Sequence, residues 1–156
     1  MMRLCAILLA LVFAVPLAAQ DRHAGYYYPA VTSEEVFDRV VRNSEGASKA
    51  VRIDFVNVLT AAQLEAPESP RFVFFAKGAE ADKLILVALD DEVFSSIYRA
   101  RAILAQLTVS VRRGGYFRQE ELQYVATFYD LLQLMAFEEL VISDGQTWAH
   151  RVDFVR

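Results

Sequence analysis

The only cysteine of the chain, Cys5, lies inside an apolar N-terminal run, and this placement limits more than any other feature what the rest can become. Arg3 supplies a positive charge ahead of Leu4 to Val15, Pro16 breaks the run, and Leu17-Ala18-Ala19 offers small residues for a peptidase. Length, charge and flank are those of a secretory signal peptide over residues 1–19. The run is short of the ~20 apolar residues that a membrane span needs. Cleavage after Ala19 removes Cys5, so the mature chain is expected in the periplasm or secreted, cysteine-free and without a transmembrane segment. Disulfides, thiolate nucleophiles, Cys-ligated zinc and iron–sulfur clusters are then excluded. The remaining stretch of about 137 residues must hold itself together by its core, and is one domain long. Without Arg3 it carries 15 basic and 20 acidic side chains, a net charge near −5. That opposes nucleic acid or anionic lipid as a main partner.

Residues 20–31, "QDRHAGYYYPAV", have no periodicity and read as an N-terminal arm. Residues 32–156 read as a single globular domain. Thr32 with Glu35 three residues on has the form of a capping box, and Val36, Phe37, Val40 and Val41 continue one helical face to about Ser44. Val51, Ile53 and Phe55 alternate with Arg52 and Asp54, which predicts a strand over 49–59. Residues 71–90 read as two apolar β segments around a turn at Gly78. Asp90 or Asp91 is expected to cap a long helix with Val93, Ile97, Ala100, Leu104, Leu107 and Val111 on one stripe, stopped by Gly114-Gly115. A further helix is expected over 119–137, with Leu122, Val125, Tyr129, Leu132 and Met135 on its buried side.

Asp144-Gly145 marks a two-residue hairpin turn. The register that follows sets Ile142 against Thr147, Leu140 against Ala149 and Glu139 against His150. The expected order is α-β-β-β-α-α-β-β. This is an α+β domain with about three helices on one face of a mostly antiparallel five-stranded sheet; the first strand is free to pair in parallel with a later one.

Several residues are candidates for chemistry. Trp148, His150, Val152 and Phe154 share a strand face. His150 opposite Glu139 has the carboxylate–imidazole arrangement of a general base, and equally that of a satisfied half-buried histidine. No Gly-x-Ser-x-Gly elbow supports a hydrolase built on Ser143 or Ser95. Cleavage one residue later would start the chain Asp21-Arg22-His23, a Cu(II) or Ni(II) chelate through His23; cleavage after Ala19 destroys it. Tyr26, Tyr27 and Tyr28 form either an aromatic patch for a peptide or glycan, or a cap on a sheet edge. Arg99, Arg101, Arg112, Arg113 and Arg118 surround the end of the long helix, as a dipole-favoured solvated face or as an anion site. The acidic residues Glu80, Asp82, Asp90, Asp91 and Glu92 lack the alternation of a calcium loop.

The segments "YYYPAVTSEEVF", "LEAPESPRFVFFAKG", "VALDDEVF", "YRARAILAQL" and "LVISDGQTWAHRV" together resemble a family of small exported proteobacterial proteins of unestablished function, over nearly the whole mature chain. Its members carry the label "molybdopterin-guanine dinucleotide biosynthesis protein A". A guanylyltransferase of that name opens with a Leu-Ala-Gly-Gly loop, an Arg-Met-Gly segment and a lysine that cradle nucleotide phosphates. None of these is in this sequence, so the resemblance transfers no catalytic residue.

These observations favour a non-enzymatic exported protein without a cofactor, which binds an envelope protein or a small anionic ligand or assists envelope assembly. The Tyr arm, Trp148 and the arginines are its candidate contacts. The alternatives are a small enzyme using Glu139 and His150 in a pocket by Trp148, and copper or nickel binding through Asp21 to His23. A chaperone-like module shares the early element order by fold analogy alone.

Overall fold

A computed structural model describes residues 28–39, 47–113 and 127–155. The expected signal segment, Asp21 to His23, Tyr26, Tyr27, Arg118, and the first part of the helix expected from residue 119 lie outside those residues. Along the chain run β1 (Ser33–Phe37), α1 (Lys49–Leu64), β2 (Phe72–Lys77), β3 (Lys83–Ala88), α2 (Ile97–Arg112), α3 (Phe128–Leu134), β4 (Glu139–Ser143) and β5 (Ala149–Phe154). The protein is α+β, and its described residues form three helices and a five-stranded mixed sheet in the order β1-β5-β4-β3-β2. β2 with β3 and β4 with β5 are antiparallel; β1 with β5 and β3 with β4 are parallel.

The first two elements exchange places relative to the sequence expectation. Thr32 caps no helix: its N–H and its hydroxyl both donate to the Ala149 carbonyl at 2.8 Å, which docks β1 onto β5. The stretch expected as a strand is α1, capped by the Ser48 hydroxyl, which accepts from Val51 N–H. Helical spacing puts Arg52, Phe55, Val56 and Leu59 inward. The alternating Val51 and Ile53, which suggested a strand, are left 39 % exposed.

The three described helices pack on one sheet face. Val56 of α1, Ala100 and Leu104 of α2, and Phe128, Leu131 and Leu132 of α3 join Phe74, Leu84, Leu86, Leu140, Ile142 and Val152 in one buried cluster. Burying such side chains stabilises by about 1.5–3 kcal/mol each before chain entropy is counted. On the other face Ile85, Val141 and Ala149 lie beneath Tyr28 and Val31. Tyr28 therefore covers a face of the sheet, not an edge.

The long helix starts later than expected. Val93 and Phe94 are buried within turns, and Ser96, accepting from Arg99 N–H, caps α2 in place of Asp90 or Asp91. α3 opens with a capping box between Thr127 and Asp130. The last hairpin turns through a wider loop than Asp-Gly alone. One Asp144 carboxylate oxygen accepts the N–H groups of Gln146, Thr147 and Trp148 at 2.8–2.9 Å, while the other takes the Thr147 hydroxyl. Gly145 supplies φ +78°, a region other residues enter only with strain. The wider loop moves the register, so Ile142 meets His150 instead of Thr147, and Glu139 meets Asp153.

Candidate functional site

Side chains alternate across a sheet, so Ser33, Glu35 and Phe37 of β1 point to the helix face together with His150, Val152 and Phe154 of β5. Ser33 lies beside His150 and Glu35 beside Val152. The Ser33 hydroxyl is 2.8 Å from His150 Nδ1, and His150 Nε2 is 3.7 Å from Glu35 Oε2. From the helix layer, Arg101 of α2 donates to Glu35 Oε2 at 3.0 Å and the Tyr129 hydroxyl of α3 to Glu35 Oε1 at 2.7 Å. One carboxylate thus ties the edge strand to two helices. Phe37, Tyr129 and Phe154 meet edge to face beneath it, with ring centroids 5.2–5.9 Å apart.

The electrostatics follow from this arrangement. Burial by itself raises the Glu35 carboxyl, but the hydrogen bonds from Tyr129 and Arg101, with the nearby His150 and Arg101 charges, outweigh it and hold it below its ordinary value. Burial and the bond to Glu35 push the Tyr129 hydroxyl far above the usual tyrosine range. Near neutral pH Glu35 is therefore an anion and Tyr129 a neutral hydrogen-bond donor. Trp148 stacks nearly parallel on His150, with centroids 6.1 Å apart.

Beside this network lies an open groove of about 630 Å³. Its floor is Glu35 and Phe37, and α3 closes one end with Thr127, Phe128 and Tyr129. Arg101, Ala105, Val109 and Arg112 of α2 form its wall. These four residues recur at helical spacing on a stripe next to the one that enters the core, so α2 faces both the core and the groove. Apolar side chains make most of the surface, with a guanidinium from Arg101 and another from Arg112 along the wall.

The expected Glu139–His150 pair does not form. With Ile142 opposite His150, Glu139 projects to the other sheet face, where Lys83 pairs with it at 3.1 Å. There burial raises the Glu139 carboxyl, against the pull of Lys83. Glu35 supplies the carboxylate beside His150 instead. Its i, i+2 spacing from Ser33 is the signal that could have found it, had β1 been read as a strand. Tyr129 and Arg101 were visible in the sequence, but only the packing of α2 and α3 over β1 brings them to Glu35.

The arginines do not form one patch. Arg99, near the start of α2, binds Glu92, and Arg101 binds Glu35. Arg112 lies at the far end of the helix, on the groove, and Arg113 is the exposed C-cap. At 1.5 Å per residue, Arg99 and Arg112 are roughly 20 Å apart.

Ser33, His150 and Glu35 match a hydrolytic triad in residue type. A general base, however, must reach the proton it takes from substrate. His150 is 2 % exposed, lies under Trp148, and is not among the residues that line the groove. A ligand in the groove meets Glu35, Tyr129 and the arginines instead. Among the described residues no group of three or more His, Cys, Asp or Glu is placed to hold a metal ion, and no helix is long and apolar enough to cross a membrane. Comparison with protein-family models, with curated proteins and with solved structures returned no match to this chain.

Proposed function

We propose that the protein is an exported, non-enzymatic binding protein of the cell envelope, and that the groove beside β1 is its ligand site. The observation that carries this reading is the groove itself: apolar, open, walled by Arg101 and Arg112, and floored by a carboxylate whose partners are already in place. Sites for small ligands combine an apolar lining with a few placed polar groups in this way. The preferred ligand has an apolar body and an anionic or hydrogen-bond-accepting group, and the arginines suit the anion in an otherwise acidic chain.

The test uses the apolar anion 1-anilinonaphthalene-8-sulfonate as probe. The folded protein binds it with saturable fluorescence, and Ala105→Trp, which fills the groove from the wall, abolishes that signal while circular dichroism is unchanged. Binding that is insensitive to Ala105→Trp would remove the groove from consideration. The mass of protein secreted by its native host tests the export part of the reading, with Gln20 as the expected first residue. A start at Asp21 would instead direct attention to the copper or nickel chelate at His23.

A further inference from the structure

The outer edge of β1 and the groove beside it occupy the place of one more strand. β1 ends the sheet, and no described strand lies beyond it. Val155 N–H donates to the Phe37 carbonyl at 3.2 Å, so Phe37 and, by alternation along a parallel ladder, Glu35 turn their peptide groups toward β5. Glu34 and Val36 then present N–H and C=O groups away from the sheet. The Val36 side chain is 64 % exposed on the face opposite the helices. Natural edges are usually blunted by a charge or a proline; here Glu34 and Glu35 are charged but engaged by Arg151 and Arg101, and Val36 is neither. The groove flanks the same edge on the helix face, roofed by the outer stripe of α2. Neighbouring strands lie about 4.8 Å apart, and Ala105 and Val109 of α2 line the same groove as Glu35 and Phe37 of β1.

Building on the groove as the ligand site, we infer that the ligand is an extended segment of a partner protein, added to the sheet as a sixth strand against β1. Its backbone bonds to Glu34 and Val36. Alternate apolar side chains enter the groove, and an acidic side chain meets Arg101 or Arg112. Strand addition gains affinity from the main chain and specificity from pockets for every second side chain, and the groove offers such pockets on one face only. A second copy of this chain is the poorer occupant, because its β1 would bring Glu34 and Glu35 against the same acidic edge.

A displayed library of random ten-residue peptides tests this on the full mature protein. The expected selectants carry apolar residues at alternate positions with one Asp or Glu in constant register. Val36→Pro removes one outward N–H without touching the β1–β5 ladder, and proline is tolerated on an edge strand. It is expected to weaken a selected peptide about tenfold or more while the anilinonaphthalene probe still binds. That retained binding shows that the variant is folded. Selectants with helical i, i+3, i+4 spacing, equal affinity for Val36→Pro, or no enrichment while the probe still binds each overturn strand addition but leave the groove reading standing. Loss of probe specificity for the groove removes that reading instead. A homodimer that Val36→Pro dissociates assigns the edge to a second copy and likewise overturns the inference.

Discussion

Two charges in this protein, one buried and one half-buried, are satisfied in opposite ways. Arg52, 5 % exposed, donates only to backbone carbonyls: Ala47 at 2.9 Å, Glu80 at 2.7 and 3.1 Å, and Ala136 and Met135 at 3.4 and 3.5 Å. It fastens α1 to the β2–β3 turn and to the turn after α3. Glu35 is held by side chains, Arg101 and Tyr129, at the rim of an open groove. Backbone acceptors move only if the fold moves, so the Arg52 clamp has nothing to offer a ligand. Side-chain partners at a rim can turn toward an incoming group at modest cost, and this is where recognition is expected.

The contrast is broken most severely by Arg52→Leu. Leaving several buried carbonyls without donors costs about 4 kcal/mol, read from the urea midpoint, with probe affinity unchanged in the protein that remains folded. A loss under about 1 kcal/mol would mean that water serves these carbonyls equally well. Next comes Glu35→Gln, expected to lose about 1.5 kcal/mol at most near neutral pH, because solvent screens its pair with the exposed Arg101. The folded carboxyl lies below its ordinary value of 4.5, so its stabilisation is present above that value and fades as pH falls through the lowered one. Wild type and Glu35→Gln should therefore converge in acid; a constant gap would assign the loss to shape and not to charge. Tyr129→Phe removes one hydrogen bond and should cost about 1 kcal/mol, together with a tyrosine absorbance change that in the wild type waits for strongly alkaline pH.

The smallest effect is expected at Glu139→Gln. Burial raises this carboxyl in the folded state, so its ionisation works against folding above the ordinary carboxylate value, and the Lys83 pair offsets that. Neutral-pH stability should change by less than about 0.5 kcal/mol. A loss as large as that at Glu35 would erase the difference between the two carboxylates.

Elements governed by local pattern could be read from the sequence, and those governed by distant partners could not. The hairpin of β2 and β3 and the stripe of α2 have apolar spacing that only one structure satisfies. At Thr32 the local capping pattern was genuine in type, but Ala149, far along the chain, takes the hydroxyl instead, donating its N–H to the Thr32 oxygen and accepting the hydroxyl proton at its carbonyl. At Val51 and Ile53 the alternation was outweighed by the inward demands of Arg52, Phe55, Val56 and Leu59. The placement of Trp148, His150, Val152 and Phe154 on one face was legible from alternation. What they face was not, because the Asp144 carboxylate gathers a whole loop of N–H groups and shifts the register by an odd number of residues, which exchanges the sheet faces. The candidate site inherits both misreadings, since it stands where β1 meets β5.

That junction also sets the order in which the molecule can assemble. Ser33 and His150 are 117 positions apart, and β5 lies between β1 and β4. The β2–β3 hairpin can form from neighbouring segments, but β1 has no partner and β4 keeps one bare side until β5 is in place. Contacts of such sequence separation are slow to close. The groove that Glu35 and Phe37 floor is therefore complete only once the two most distant strands of the described fold have met.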